Sequence, residues 1–269
     1  MKSIQNQLAL VTGGASGIGR LVALGLAEKG ARVAIWDLNE AALRSLEAEA
    51  RSRGLVIKGY LCDVSNRAQV YERATELTAD MGPLDILINN AGVVSGSKFL
   101  ETSDEKIEKT MQVNTLSLFW TAKAFLPAMI ERDQGHLVTI SSAAGIVGVT
   151  GLADYSASKF AAFGFDEAIR MELRRIKSAV RTTVVCPFFI DTGMFEGVQT
   201  RFPLLLPIMK QEKAAKRIIK ALLKNNRRLI MPPFVYSVYL LRLLPVPLFD
   251  FASDFFGVNR TMDHFRGRK

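Results

Sequence analysis

A chain of 269 residues that is 49% apolar can close one large hydrophobic core and is too apolar to be intrinsically disordered. Two cysteines exclude a disulfide framework, and two histidines far apart in sequence, His136 and His264, leave no ligand cluster, so no metal is expected. The net charge of +9 does not define a function class by itself, because much of it is concentrated in one late stretch.

Residues 8–12 form a short apolar strand that runs into Gly13-Gly14-Ala15-Ser16-Gly17-Ile18-Gly19. A helix follows with Leu21, Leu24 and Ala27 at helical spacing, and Gly30 ends it. Residues 32–36 are a second strand that ends in Asp37. Glycines that open a helix between two strands let the backbone approach a pyrophosphate, and the helix N-terminus offers it N–H groups. The spacing is Thr12-Gly13-x-x-x-Gly17-x-Gly19, which differs from the G-x-G-x-x-G fingerprint.

The alternation continues with a helix over 39–53 and a strand over 56–61 that leads into Cys62-Asp63-Val64. A helix over 67–81 and a strand over 86–88 lead to Asn89-Asn90-Ala91-Gly92. A long helical stretch over 104–132, with an interruption near Asn114, precedes a strand over 136–140 that reaches Ser141-Ser142. A helix over 155–177 and a strand over 182–185 end at Cys186-Pro187. Both cysteines close apolar runs and read as buried. Strands alternating with helices predict an α/β fold: a single doubly wound parallel sheet with helices on both faces.

Beyond Pro187 the pattern loosens. Residues 188–207 show no clean period, and 211–224 read as an amphipathic helix. A last strand over 228–231 is stopped by Pro232-Pro233. Between Lys210 and Arg228, eight Lys or Arg residues stand against one acid, Glu212. Nucleic acid, a membrane surface, an acidic carrier or plain solvent all suit such a face. Residues 234–258 are strongly apolar but interrupted by charges and prolines, so no simple membrane span is expected. The expected organisation is one cofactor-binding and catalytic domain over 1–233, with a substrate lid over 188–225. An apolar C-terminal extension over 234–269 packs on the same domain. With no apolar segment before a cleavage site, the N-terminus is read as carrying no signal peptide, and a cytoplasmic setting is expected.

Tyr155 and Lys159, four residues apart, share one helix face. An ammonium beside a phenol favours phenolate and makes an acid–base pair. Ser142, at the end of the preceding strand, can reach the same place. Any helix can carry Y-x-x-x-K by chance, so the upstream loop decides its weight.

Together these residues resemble the short-chain dehydrogenase/reductase family. The marks are Thr12-Gly13-x-x-x-Gly17-x-Gly19, Asp63, Asn89-Asn90-Ala91-Gly92, Asn114, Ser142, Tyr155-x-x-x-Lys159, and Pro187 with Thr192-Gly193. The resemblance spans about residues 8–192 and implies hydride transfer at a carbinol carbon. Tyr155 would be the acid–base group, with Lys159 favouring its phenolate. Ser142 would hold the substrate oxygen, and Asn114 a water in a proton relay. Cofactor contacts are implied for Thr12, Gly13, Ser16, Gly17, Ile18, Gly19, Asp37, Asp63, Val64, Asn90, Ala91, Gly92, Tyr155, Lys159, Pro187 and Thr192. Among these, Asp63 and Val64 would flank the adenine, Asn90 would touch the adenosine ribose, and Thr192 would meet the nicotinamide carboxamide. A carboxylate at Asp37 accepts from ribose hydroxyls and repels a 2′-phosphate, so the expected cofactor is NAD.

Pro187-Phe188 departs from the Pro-Gly of many members and, with CPFFIDTGMF, looks more like the retinol and 17β-hydroxysteroid dehydrogenase branch. That branch commonly has an N-terminal apolar anchor, and none is read here. An apolar alcohol or ketone substrate is implied, which suits Phe188, Phe189, Met194, Phe195, Phe202 and the leucines at 204–206. A 3-oxoacyl carrier-protein reductase is the alternative, disfavoured by Asp37. A catalytically idle nucleotide-binding scaffold is another, disfavoured by the complete catalytic set. The resemblance also implies a homo-dimer or tetramer through the 104–132 and 155–177 helices. No nucleic-acid partner is expected, and a peripheral contact with a membrane or lipid surface is left open.

Overall fold

In the computed structural model, which describes residues 3–267, the chain alternates strand and helix from its first element. Leu8–Thr12 (β1) is buried along its whole length, and Gly17–Ala27 (α1) crosses from it to Arg32–Asp37 (β2). Glu40–Ser52 (α2) starts where the Asn39 side chain accepts the Ala42 N–H at 3.0 Å, so Asn39 caps this helix and Asp37 does not. Ile57–Leu61 (β3), Arg67–Met81 (α3) and Ile86–Asn89 (β4) follow. Asp104–Met111 (α4) and Ser117–Glu131 (α5) are separated by a π-helical turn over Gln112–Leu116, which interrupts the long helical stretch at Asn114. His136–Ile140 (β5), Ala153–Arg175 (α6) and Arg181–Pro187 (β6) complete the regular alternation. Ile190–Asp191 (β7) and Met209–Lys210 (β8) form a small parallel pair. Gln211–Leu223 (α7), Arg228–Met231 (β9), Ser237–Leu241 (α8) and Val246–Phe255 (α9) follow, and a short 3-10 turn over Val258–Arg260 comes after them.

Seven parallel strands lie in the order β3-β2-β1-β4-β5-β6-β9. One core joins β1 and β2 to α1 and α7 through residues such as Val22, Ile35, Ile218 and Leu222. The second, with Trp36, Leu77, Phe125 and Phe165, joins the other face to α3, α5 and α6. Burial on both faces explains why the strands read as continuous apolar runs. The strand order reverses between β1 and β4, and in such sheets ligands bind outside the carboxyl ends of the strands at that point.

Within the expected lid span 188–225, helix α7 turns its apolar side away from the cavity. Ala214, Ala215, Ile218, Ile219 and Leu222 bury the apolar stripe of α7 in the first core, so this helix covers the sheet. Only residues from the 188–206 stretch turn toward the cavity. The described part of the extension folds back over the strand ends. The Arg242 guanidinium donates to the Ile146 carbonyl at 2.8 Å, and the Arg266 N–H to the Glu196 carbonyl at 2.8 Å. Residues 1, 2, 268 and 269 of the two expected domain spans lie outside the described residues.

Candidate active site

At the switch point lies a cavity of about 430 Å³. Gly13, Ser16, Gly17, Ile18 and Gly19 line one wall. α1 begins there with no side-chain cap and no acid in its first turn, so its positive end faces the cavity, as a pyrophosphate requires. A Cβ on Gly19 would stand 2.2 Å from the Gly13 carbonyl oxygen, so the loop closes this tightly only on glycine.

Thr12 does not reach the cavity. Its hydroxyl accepts the N–H groups of Asn90 and Ala91, both at 3.0 Å, and fastens the end of β1 to the segment after β4. The Asn90 amide donates to the carbonyls of Thr12 at 2.9 Å and Gly13 at 3.0 Å. That nitrogen is therefore committed to the glycine loop, where a ribose contact was expected. Asn90, Ala91, Gly92 and Val64 still line the wall.

Asp37 closes the far side. One carboxylate oxygen accepts the Ala15 N–H at 2.9 Å and the other the Asn39 N–H at 3.0 Å. Each keeps lone pairs for a ribose hydroxyl. Among the described residues the only cations lining the cavity are Lys109 and Lys159, so nothing beside Asp37 would neutralise a 2′-phosphate. The walls therefore fit an unphosphorylated dinucleotide.

Asp63 lines the cavity, but its carboxylate is turned to Ser65 and to Lys109, whose ammonium lies 3.3 Å away. Burial alone would raise this carboxyl; the Ser65 bonds and the Lys109 ammonium outweigh it and hold it below the usual range. The carboxylate is thus held by the protein on the wall where the resemblance implies the adenine would lie. Sequence reasoning missed Lys109, because a lysine in the helical run DEKIEKTM looks like any solvated one.

At the other end Tyr155 and Lys159 lie buried on α6, with the Lys159 Nζ 5.6 Å from the centre of the Tyr155 ring. Burial pushes the phenol up to about 12, against a hydrogen bond from Ser142 that favours phenolate. Burial also pushes the Lys159 ammonium down to about 8, while it donates to the Ile140 carbonyl at 3.0 Å. The Ser142 hydroxyl accepts the Ala144 N–H at 3.1 Å and opens the short turn Ala143–Gly145. Pro187 and Thr192 line the wall beside it.

Asn114 is buried, and both donors of its amide are engaged. It accepts the Val93 N–H at 2.8 Å and donates to the Val93 carbonyl at 2.9 Å and the Ser158 hydroxyl at 3.0 Å. The side chain thus clamps the 92–93 segment to α6, and its donors are not available to a relay water.

Beyond Tyr155 the cavity becomes aromatic. Phe195 packs edge-on against Tyr155 at 5.6 Å and against Phe189 at 5.1 Å. Phe188, Met194 and Leu206 continue the wall, and the extension adds Phe234, Phe249 and Phe256. Leu204 and Leu205 point outward, and Phe202 stacks on Phe255 at 5.7 Å; these three do not line the cavity.

Residues 7–201 match the family described as short chain dehydrogenase. The chain belongs to this family. Short-chain dehydrogenase/reductase family 16C member 6 of Bos taurus is 45% identical over 271 residues, covering 100% of this chain and 86% of that protein. Epidermal retinol dehydrogenase 2 of Mus musculus is also 45% identical over 271 residues, covering 100% of this chain and 88% of that one. A short-chain dehydrogenase/reductase from Burkholderia phymatum, solved in complex with NAD, superposes with a TM-score of 0.82 at 26% identity, covering 90% of this chain and 95% of that one. A metagenomic short-chain oxidoreductase solved with NADP has a TM-score of 0.71 at 28% identity, covering 85% and 97%. Membership makes this family protein an oxidoreductase, in keeping with a dinucleotide crevice that ends at a buried acid–base pair. Among the described residues no helix is long and apolar enough to cross a membrane, and no cluster could hold a metal ion.

Proposed function

We propose that this short-chain dehydrogenase passes hydride between NAD and an apolar, retinoid-like alcohol or its carbonyl product, and that it takes this substrate from a lipid surface. The observation that carries the reading is the meeting of the Asp37-walled crevice and the aromatic cavity at Tyr155. Relatives named retinol dehydrogenases and the NAD-bound structural neighbour support the same substrate and cofactor classes. Bound NAD supplies the hydride acceptor.

The chain's own groups manage the oxygen and its proton. A phenol raised by burial holds its proton at neutral pH and suits donation to a carbonyl oxygen. In the alcohol direction Tyr155 must accept that proton, and the nearby Lys159 ammonium favours the phenolate. The Ser142 hydroxyl holds the reacting oxygen in line. Aromatic walls keep water out during transfer.

The lipid reading comes from the extension. α9 carries apolar side chains on two sides, with exposed Asp250 and Asp254 among them: Phe249 and the residue after the helix, Phe256, face the cavity, while Phe251 is 70% and Val246 71% exposed. Leu243, in the preceding turn, is 81% exposed. A helix with two apolar faces needs a cover on both. Lys210 and Lys213 stand at the start of α7, and Lys210 is paired through β8 with Asp191 next to the cavity residue Thr192, where anionic headgroups would meet them. On a separate face, exposed Phe119, Phe160 and Met171 of α5 and α6 support a homo-oligomer.

The test is reduced-cofactor absorbance with retinoids, steroids, long-chain alcohols and small polar alcohols, each with NAD and NADP. Apolar alcohols with NAD should give the highest kcat/KM. Faster turnover of small polar alcohols, or a preference for NADP, would overturn the reading.

A further inference from the structure

α9 turns three side chains into the cavity from one face: Phe249, Ser253 and Phe256. Two are the rings an apolar ligand needs. The third is a hydroxyl. Ser253 is only 8% exposed, and its Oγ has no hydrogen-bond partner among the described residues. A helical serine ordinarily bonds the carbonyl one turn back, and this one does not. The other cavity-lining hydroxyls of the extension are satisfied locally: Ser237 donates to the Phe234 carbonyl at 2.7 Å and Thr261 to the Val258 carbonyl at 2.9 Å. Nor do protein atoms seal off the Ser253 oxygen, which opens into the cavity. Placing an unpaired hydroxyl among phenylalanines is unfavourable unless something in the cavity bonds it.

The geometry points to Ser253 as a specificity residue that hydrogen-bonds a second oxygen of the substrate, carried apart from the reacting carbinol. This rests on the reading of the cavity as an apolar alcohol site. The reacting oxygen belongs to Tyr155 and Ser142. Tyr155 packs in one group with Leu152, Val149 and Phe195, whereas Phe256, one turn from Ser253, stacks on Phe234 at 5.2 Å in another. The bonded oxygen is neutral, because the only lining cations among the described residues, Lys109 and Lys159, are engaged at Asp63 with Ser65 and at the Ile140 carbonyl. A carboxylate would have no countercharge there. The favoured class is therefore an apolar body with an alcohol or carbonyl to react and a hydroxyl or ketone elsewhere.

The test compares matched pairs in the parent chain and Ser253→Ala: retinol against 4-hydroxyretinol, and a 17-hydroxyandrostane against its 3,17-diol. Titration calorimetry on the NADH-loaded protein reads affinity without turnover, and kcat/KM with NAD reads the reaction. The parent should bind the doubly oxygenated member of at least one pair about fivefold more tightly. Ser253→Ala should reduce that ratio to near one and leave the singly oxygenated member and NAD affinity unchanged. A parent without preference overturns the proposal, and so does a variant that keeps the ratio. Equal weakening of both members also overturns it, since that marks a packing or water-binding role. A binding preference without turnover of any member would sink the alcohol-site reading and leave the Ser253 contact standing.

Discussion

Gly145 is packed against the backbone of Lys159. The Lys159 carbonyl accepts the Ser141 hydroxyl at 2.8 Å, and a Cβ on Gly145 would stand 2.4 Å from that same oxygen. The turn that carries Ser142 is thereby seated on the first turns of α6, which fixes Ser142 against Tyr155. Gly145→Ala must push the two apart. It should lower stability by about 1–3 kcal/mol, as overpacking does, and cut kcat about tenfold or more through misplacement. NAD affinity should change less, since the glycine loop is remote from the turn. Thermal unfolding, kcat and NAD titration together check this, and an unchanged kcat would show that the turn yields freely.

Asp37→Asn removes the charge that would repel a 2′-phosphate and weakens the acceptors for the ribose. Hydrogen bonds to a charged group are worth roughly 1.5–3 kcal/mol, so kcat/KM with NAD should fall about 10- to 100-fold. The value with NADP should fall less or rise. Part of the loss will reflect the Ala15 N–H that the carboxylate accepts, so the ratio between cofactors is the quantity to read.

Asp166, buried on α6 beside the Thr182 hydroxyl at 3.4 Å, has its carboxyl pushed up by burial from 3.8 to about 7. Between those values the folded chain keeps a proton that the unfolded chain releases. Stability therefore falls as pH rises through that window, and the full cost stands above about pH 7. Asp166→Asn removes the cost. Its gain should be about 2 kcal/mol at pH 5 and about 4 kcal/mol at pH 8, read as melting temperatures at the two pH values. A gain that is the same at both would show that ionisation at Asp166 is not its source.

The lipid reading predicts that Phe251→Asp combined with Leu243→Asp abolishes co-sedimentation with vesicles containing anionic phospholipid. Both side chains face outward, so turnover of dissolved alcohols should be unchanged. The parent should release from vesicles as salt is raised, since the contribution of Lys210 and Lys213 is screened. A parent that ignores vesicles at low salt would leave the outer face of α9 to another subunit.

The parts legible in sequence were those set by local physics. A glycine loop opening a helix, an acid at the end of the next strand, and a phenol and ammonium on one helix face all follow from nearby residues. Long-range pairing hid the rest. The Thr12 hydroxyl faces Asn90 and Ala91 only because β1 lies beside β4, and Lys109 meets Asp63 only once α4 is placed across β3. Asn114 was visible as an interruption, but the clamp it makes on Val93 was not. In the extension Pro245 and Pro247 interrupt the apolar run, and contacts such as Arg242 on the Ile146 carbonyl decide where the pieces lie. Of the leucines at 204–206, only Leu206 turns inward, a choice with no periodic signal to announce it.

On the proposed reading, Tyr155 moves the proton while hydride passes to NAD in the same cavity. Tyr155→Phe keeps the ring and its edge contact with Phe195 and removes only the hydroxyl. The measurement is kcat for an apolar alcohol with NAD, beside an NAD titration of the same variant. Loss of general acid–base catalysis should lower kcat about 10²- to 10⁴-fold, with NAD affinity within about threefold of the parent, because the glycine loop and Asp37 are untouched. A variant that turns over at the parent rate would contradict the assignment of Tyr155 as the acid–base group.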